Sequence, residues 1–227
     1  MLLSVIMPVY NERDTIELII EHVLSEPTEK ELIIVDDCSN DGTREILRRL
    51  SHPKIKVFFH ETNQGKGAAI RTACSHVSGD IAIIQDADLE YNPQEYSHII
   101  KPILEDKADV VFGSRFHGAE QRVLFFWHFI ANKFLTLLSN MLTNLNLTDM
   151  ETCYKAFRSS VLKQINIRSK RFGVEPELTA KVAKLGCRVY EVPISYYGRD
   201  YSEGKKITWK DGFSAIWCII KFNLFPK

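Results

Sequence analysis

The sequence predicts an α/β fold in which a mainly parallel sheet is covered by helices on both faces. In the first half of the chain, short apolar runs of strand length alternate with segments whose apolar residues recur at helical spacing. Such alternation implies right-handed crossovers between parallel strands. Of the 227 residues, 45% are hydrophobic and 26% are charged, which is ordinary for a globular protein and excludes a disordered or collagen-like chain.

The elements of the first half follow in a regular order. Five apolar runs predict strands at Leu3–Val9, Glu31–Asp36, Ile55–His60, Asp80–Gln85 and Ala108–Phe112. Helices between them are predicted from apolar spacing, from turn residues before a helix and from a proline in a first turn. They are expected at Thr15–Leu24, Arg44–Leu50, Ala68–Val77 and Pro93–Leu104.

The second half has a different pattern. Arg122–Leu145 is long, apolar and aromatic, and Arg188–Ile194 is a further strand candidate. Tyr196–Lys206 is a polar loop, and Trp209–Phe225 has the pattern of an amphipathic helix. Because no repeat or linker separates the halves, we expect a single domain over residues 1–227, with residues 118–227 appended to the sheet-forming residues 1–117.

Charge and cysteine content exclude several classes of protein. Lys+Arg and Asp+Glu both number 29, so a nucleic-acid-binding protein held by a strong positive field is not expected. The five cysteines show no CxxC spacing, which argues against a zinc site and favours reduced thiols in a cytoplasmic setting. The N-terminus lacks a basic leader and no apolar run reaches about 18 residues, so neither a signal peptide nor a membrane span is expected.

The strongest candidate site is Asp86-Ala87-Asp88, directly after a fully apolar strand. In parallel sheets ligands bind outside the carboxyl ends of the strands, so both carboxylates are expected at that rim. Carboxylates suit hard divalent cations, and the two aspartates would repel each other without one. The alternative is that they form a turn or cap before Asn92-Pro93. We favour the metal site.

Two other strand ends carry polar residues. Asp37 is favoured over Asp36 as an acceptor of hydrogen bonds from a nucleobase or ribose. The alternative is that the pair caps the Asn40–Thr43 turn, which Asp36 could easily do. Tyr10 is a candidate for stacking on a base and Glu12 for binding a sugar hydroxyl, while Glu12 also fits a solvated first helical turn.

Several cations follow strand ends or lie in the polar loop. Arg115, Arg199 and Lys205-Lys206 suit phosphate oxygens if they converge, whereas each alone fits a solvated surface charge. Asn63–Gly67, which contains Lys66, is glycine-rich but is neither a Walker A loop nor a full GxGxxG. A turn with glycine at positive φ accounts for it.

The aromatic stretches Val123–Ile130 and Phe213–Phe225 leave two interpretations open. One is core packing or dimerisation. The other is an interfacial surface that places apolar residues, Trp217 and Phe222 among them, in the lipid headgroup zone, with basic residues facing anionic lipid.

Four segments of the first half stand in a recognisable order: Val5–Glu12, Val35–Thr43, Asp86–Glu90 and Gly113–Arg115. Together they resemble the family 2 glycosyltransferases, which have the Rossmann-like GT-A fold. Four later segments resemble the branch that makes polyprenyl- or dolichol-phosphate mannose or glucose. These are Asp149–Lys155, Glu175–Glu177, Glu191–Ile194 and Arg199–Lys205.

The resemblance implies a role for each candidate. Residues that would bind the nucleotide sugar are Pro8, Tyr10, Glu12, Asp37, Lys66, Asp86, Ala87 and Asp88. Mg2+ or Mn2+ would be held by Asp86, Asp88 and Glu90, the last standing where the family often has glutamine. Residues expected to serve catalysis at the phosphates are Asp88, Arg115, Arg199 and Lys205.

The resemblance also implies the reaction and its place. A hexose would pass, with inversion, from a GDP-mannose or UDP-glucose type donor to a polyprenyl phosphate. The enzyme would be peripheral on the cytoplasmic face of a membrane, with residues 1–117 binding the donor, residues 118–227 facing acceptor and membrane, and a homodimer as a possible assembly.

Two alternatives to this function remain open. The same fold acting on a soluble sugar or glycan hydroxyl would need a carboxylate base near the acceptor, Asp149 or Glu177 being candidates. A non-catalytic, membrane-bound protein that binds nucleotide sugars is the other, and the intact aspartate pair argues against it.

Overall fold

The computed structural model describes residues 1–116, 118, 122, 125–199 and 209–225, with the backbone alone for 209 and 210. In this part of the chain seven strands form one sheet. They are β1 Leu3–Val9, β2 Lys30–Asp36, β3 Ile55–Phe59, β4 Ile81–Ile84, β5 Val110–Ser114, β6 Lys155–Arg158 and β7 Val189–Pro193. The described helices are α1 Ile16–Ser25, α2 Thr43–Arg49, α3 Lys66–Cys74, α4 Tyr96–Leu104, α5 Phe126–Thr143, α6 Ser159–Leu162, α7 Val174–Lys184 and α8 Trp209–Leu224.

The sheet has the order β3-β2-β1-β4-β6-β5-β7 and is mainly parallel, as the sequence predicts. Strand β6 is the exception, because it runs antiparallel to both β4 and β5. The inserted strand and helices α6 and α7 lack the sequence patterns by which the other elements are recognised. Strand β6 places residues of the second half of the chain between β4 and β5 of the sheet.

Burial explains why the first-half strands form. Every residue of β1, β2 and β4 is buried, as expected for strands covered by helices on both faces. Their register aligns Val9 with Asp36, so the carboxyl ends of β1 and β2 meet at the same edge of the sheet. The polar residues that follow these strands are thereby brought to one rim.

Helices α5, α7 and α8 pack against one another in the second half. Within the aromatic stretch that begins at Arg122, the helix starts only at Phe126, and its first turn leaves Phe126 63% and Trp127 75% exposed. Of the two side chains expected to face lipid from α8, Trp217 is exposed, but Phe222 is only 7% exposed. The expectation for Phe222 is therefore wrong, because this ring packs inside the protein. Among the described helices, none combines the length and apolar character needed to cross a membrane.

Candidate active site

A cavity of about 1240 Å³ opens outside the carboxyl ends of the parallel strands. Every predicted site residue that the structure describes lines it, namely Pro8, Tyr10, Glu12, Asp37, Lys66, Asp86, Ala87, Asp88, Glu90, Arg115 and Arg199. Lys205 lies outside the described residues. The wall opposite the sheet rim comes from α5, the start of α7 and α8.

Asp86 and Asp88 stand just beyond the end of β4, as predicted. Burial raises the pKa of the Asp88 carboxyl to about 8, and the neighbouring charges of Asp86 and Glu90 act in the same direction. The next residue, Leu89, adopts a left-handed φ of 63°, which is uncommon for a branched side chain and marks a sharp turn. The turn therefore brings Asp88 close to two other carboxylates, a concentration of negative charge that a bound cation would neutralise.

This donor set fits a hard divalent cation. In the described part of the chain no three acidic, histidine or cysteine side chains form a preformed metal cage. Mg2+ commonly uses one or two carboxylates and takes its other ligands from water and substrate phosphates, so an aspartate pair suffices. Glu90 has other partners, because its carboxylate accepts hydrogen bonds from Tyr196 Oη at 2.9 Å and from the Arg199 backbone N–H at 2.7 Å.

Asp37 binds the protein's own backbone. Its Oδ1 accepts from the Gln64 N–H at 2.9 Å and its Oδ2 from the Gly65 N–H at 2.6 Å. His60 Nδ1 lies 2.7 Å from the same Oδ1. The carboxylate therefore fixes the glycine-rich loop while lining the cavity. Asp36 has the structural role considered in the sequence, since it accepts from the Ser39 N–H and pairs with a nearby arginine.

Lys66 joins the two sides of the cavity. Its Nζ lies 2.9 Å from Asp86 Oδ1 and 3.0 Å from Glu175 Oε1, the latter at the start of α7. Burial lowers the pKa of this ammonium, but the charges of Asp86, Cys153 and Glu175 outweigh burial and hold the pKa well above its usual value. Lys66 is therefore a permanent cation beside the aspartate pair.

Arg115 forms a bidentate pair with Asp149. Its Nε and Nη2 donate to Oδ2 at 2.6 Å and Oδ1 at 2.8 Å, and Asp149 is fully buried. Burial raises the pKa of Asp149, but the adjacent guanidinium outweighs it and leaves the pKa lowered. The Arg115 guanidinium also lies 5.1 Å from the centre of the Tyr196 ring. Its position at the cavity is thus rigidly defined.

Arg199 contacts the carboxylates that follow strands β1 and β4. Its guanidinium pairs with both oxygens of Glu12, at 3.0 and 3.1 Å, and lies 3.5 Å from Asp88 Oδ2. This residue follows β7 by several positions and comes from the polar loop, yet it reaches the turn after β1. Arg115 and Arg199 both line the cavity, which is the convergence that phosphate binding requires.

Two carboxylates proposed as alternative bases are occupied. Both oxygens of Asp149 accept from Arg115, as described above. Glu177 accepts from the Arg168 and Ser169 N–H groups at 2.8 and 2.6 Å and pairs with Lys181. In contrast, Glu151 Oε1 and Glu175 Oε2 are buried without a hydrogen-bond partner. Sequence patterns singled out neither of these two for its own chemistry.

Comparison with known proteins extends these observations. A sequence model described as "Glycosyl transferase family 2" matches residues 4–165. The chain is 28% identical over 221 residues to undecaprenyl-phosphate mannosyltransferase from Micrococcus luteus, covering 88% of this chain and 85% of that protein. It is 26% identical over 243 residues to UDP-N-acetylglucosamine--dolichyl-phosphate N-acetylglucosaminyltransferase from Methanococcus voltae, covering 98% of this chain and 96% of that protein.

A solved structure confirms the predicted GT-A fold. Glucosyl-3-phosphoglycerate synthase from Mycobacterium tuberculosis, crystallised with Mn2+, UDP and phosphoglyceric acid, superposes with a TM-score of 0.75. The sequence identity is 21%, and the match covers 99% of this chain and 79% of that one.

Proposed function

Because the chain belongs to glycosyl transferase family 2 and is a glycosyltransferase, we propose that it transfers a hexose from a nucleotide sugar to a polyprenyl phosphate at a membrane surface. The observation that carries the proposal is the continuity of one cavity. It runs from the aspartate pair and the two arginines to the exposed aromatic residues of α5. Both relatives named above are transferases that act on polyprenyl phosphates, which supports the same acceptor class here.

On the donor side, residues 1–117 supply the nucleotide site. Tyr10 is 38% exposed at the cavity, which leaves its ring accessible for stacking on a base. Asp37 and the loop it holds border the same space, and Lys66 stands beside Asp86 to meet a diphosphate oxygen. We propose that these groups bind a GDP- or UDP-sugar.

Asp86 and Asp88 would hold Mg2+ or Mn2+ on the donor diphosphate. A bound dication of this kind offsets the negative charge that grows on a departing nucleoside diphosphate. Lys66 adds a fixed positive charge at the same point and needs no reorganisation during the reaction. The solved structure with Mn2+ and UDP supports this use of the site by analogy.

On the acceptor side, Arg115 and Arg199 would orient the phosphate monoester. One of its oxygens attacks the anomeric carbon, the bond from that carbon to the diphosphate oxygen breaks, and the nucleoside diphosphate leaves with the electron pair. The second pKa of a phosphate monoester is about 6, so the nucleophile is already largely dianionic at neutral pH and no base must remove a proton. The occupied oxygens of Asp149 and Glu177 agree with a reaction that needs no base.

The membrane contact is proposed on the exposed aromatic side chains at the cavity mouth. Phe126 and Trp127 line the cavity and are also largely exposed, so a lipid-linked phosphate could enter from the surface they cover. Trp217 on α8, which packs against α5, is 59% exposed as well. A cytoplasmic location at the membrane surface is part of the same proposal.

A transfer assay tests the function. Purified protein is incubated with GDP-mannose, UDP-glucose or UDP-N-acetylglucosamine, Mg2+ or Mn2+, and either undecaprenyl phosphate in detergent or a soluble glycan. We expect a polyprenyl phosphosugar with at least one donor, and we expect Asp88→Asn to abolish both transfer and metal-dependent donor binding. The exposed Asp14 provides the matched control, and Asp14→Asn should retain full activity. Transfer to the glycan alone, or an active Asp88→Asn, would contradict the proposal.

A further inference from the structure

Two carboxyl groups on the inner wall of the cavity have unsatisfied oxygens. Glu151 Oε1 and Glu175 Oε2 are buried and have no hydrogen-bond partner, and both residues line the cavity. Glu175 is only 6% exposed. Buried polar atoms in folded proteins nearly always have a partner, because an unpaired one costs about 1–3 kcal/mol. Because both residues line one cavity, a ligand bound there is a candidate for supplying the missing hydrogen bonds after a small rotation of the carboxyl groups.

The position of Glu151 and Glu175 relative to the proposed diphosphate site indicates which part of the substrate they would contact. Lys66 Nζ contacts Glu175 Oε1 at 3.0 Å and Asp86 Oδ1 at 2.9 Å, so Glu175 lies one side chain away from the aspartate that would meet the diphosphate. In a nucleotide sugar the sugar is bonded directly to that diphosphate. The buried side chains of Leu135 and Ala215 line the same cavity and limit its contact with water.

A sugar hydroxyl fits the missing partner better than the acceptor phosphate does. An anionic phosphate would be repelled by carboxylates in a site of low dielectric constant, whereas a hydroxyl group donates to them readily. We propose that Glu151 and Glu175 bind hydroxyl groups of the donor hexose and thereby determine which sugar the enzyme accepts. This inference rests on the proposed function and adds the residues that recognise the sugar.

The protonation of the pair supports two-way hydrogen bonding. Burial raises the pKa of Glu151 to about 8, and the nearby charge of Glu175 contributes, while Lys155 and Arg115 act in the opposite direction. The Lys155 ammonium is itself engaged by the backbone carbonyls of Met150 and Thr152. The Glu151 carboxyl can therefore donate a hydrogen bond to a sugar oxygen, and a carboxyl oxygen of Glu175 can accept one from a hydroxyl.

Recognition of this kind discriminates strongly between sugars. A site built to bind a hydroxyl rejects an analogue that lacks it, because the buried protein groups are then left unpaired. The contribution of the sugar to affinity is measured by titration calorimetry as the ratio of two dissociation constants, that of the nucleoside diphosphate to that of the nucleotide sugar. UDP with UDP-glucose and GDP with GDP-mannose are the probes, each with Mg2+ or Mn2+.

Substitutions then separate recognition of the sugar from folding. We expect Glu151→Leu and Glu175→Gln to lower that ratio about tenfold or more, the value of one lost hydrogen bond to a charged group. Glu151→Leu should change the affinity for the nucleoside diphosphate less than twofold. Glu177→Gln is the control on the same helix, since its carboxylate binds backbone N–H groups and should lower Tm without changing the ratio.

The outcomes distinguish failure of the proposed sugar site from failure of the proposed function. If Glu151→Leu and Glu175→Gln remain folded by Tm and keep the wild-type ratio, the sugar site is refuted while the transfer assay can still succeed. The same holds if the sugar adds nothing to the affinity of the wild-type protein. If the wild-type protein binds none of the nucleotide probes, the proposed function fails and the inference fails with it.

Discussion

At Gly65 the loop that leads to Lys66 lies close to the second half of the chain. Its φ is +94° and its ψ is 164°, and its N–H donates to Asp37 Oδ2. A Cβ at this position would lie 2.3 Å from the Lys170 carbonyl oxygen and 2.8 Å from Arg171 Cγ. Gly65→Ala therefore introduces both a backbone conformation unsuited to alanine and a steric clash with another backbone segment.

The two costs can be estimated separately. A non-glycine residue in this region of backbone space costs about 1–3 kcal/mol. Overpacking against a backbone atom that must shift costs about another 1–3 kcal/mol. The sum is about 2–6 kcal/mol, and with about 2–4 °C of Tm for each kcal/mol in a protein of this size, Tm should fall by at least about 4 °C.

Two other glycines isolate the components. Gly186 has a φ of +65° and open space around it, so Gly186→Ala measures the cost of a positive φ without a clash and gives a lower limit for the backbone cost at Gly65. Gly67 has no unusual φ, but its Cβ would lie 2.3 Å from the Ser169 carbonyl oxygen, so Gly67→Ala measures the clash. Free energies of unfolding from urea titrations are compared for the three variants and the wild-type protein.

Gly65→Ala should also affect function, because the next residue is Lys66. If the loop moves away from Lys170, Lys66 loses its position between Asp86 and Glu175, and donor binding should weaken by about tenfold even where the protein remains folded. A Gly65→Ala variant within about 0.5 kcal/mol of Gly186→Ala, with unchanged donor affinity, would refute this reasoning. Such a result would mean that the contact with Lys170 is not tight in solution.

Three further predictions concern stability, charge and membrane contact. Burial raises the pKa of Glu31, but its three hydrogen-bond donors outweigh burial and lower the pKa to about 2, below the ordinary 4.5. The stabilisation by the Glu31 carboxylate is therefore complete above pH 4.5 and is lost as the pH falls towards 2. The unfolding free energies of the wild-type protein and Glu31→Gln should differ by about 1–3 kcal/mol at pH 7, and this difference should shrink on acidification. A difference that stays constant with pH would contradict the prediction. Asp149→Asn leaves the buried Arg115 charge uncompensated and should cost about 3–5 kcal/mol in urea unfolding, and wild-type stability would contradict the pairing. Replacing both Trp127 and Trp217 with serine should reduce binding to anionic vesicles in flotation assays about tenfold without changing Tm, whereas unchanged flotation would assign these residues to another interface.

Much of the first half of the fold is predictable because strands β1, β2 and β4 are buried and contain short apolar runs. Strand β6 is not predictable in this way. It has four residues, begins with Lys155 and ends with Arg158. Lys155 is fully buried in the middle of the sheet because backbone carbonyls accept from its ammonium and the Phe112 ring lies beneath it. The partners that allow a lysine to be buried are set by the tertiary structure, so the hydropathy of the sequence does not reveal them.

The candidate site is likewise only partly predictable from the sequence. Residues directly after strands, such as Asp37 and Asp88, could be placed at one rim because the ends of parallel strands meet there. Their partners could not be predicted. Arg199 reaches Glu12 across 187 positions of sequence, and Arg115 meets Asp149 across 34. A pattern in a single sequence indicates where a charge is placed but not which opposite charge the fold brings to it.

The residues that line the cavity come partly from the segment that matches the family and partly from the segment after it. The match to the family ends at residue 165, and it includes the aspartate pair, Lys66 and Arg115. Glu175 and Arg199, which complete the cavity, lie beyond that match, as does the whole of α8. The residues proposed to bind the diphosphate and its metal thus lie in the part shared with the family. Of the residues proposed for the sugar and the acceptor phosphate, Glu151 and Arg115 lie inside the match and Glu175 and Arg199 lie beyond it. Each of these two proposed sites therefore combines one residue from the shared part with one from the remainder.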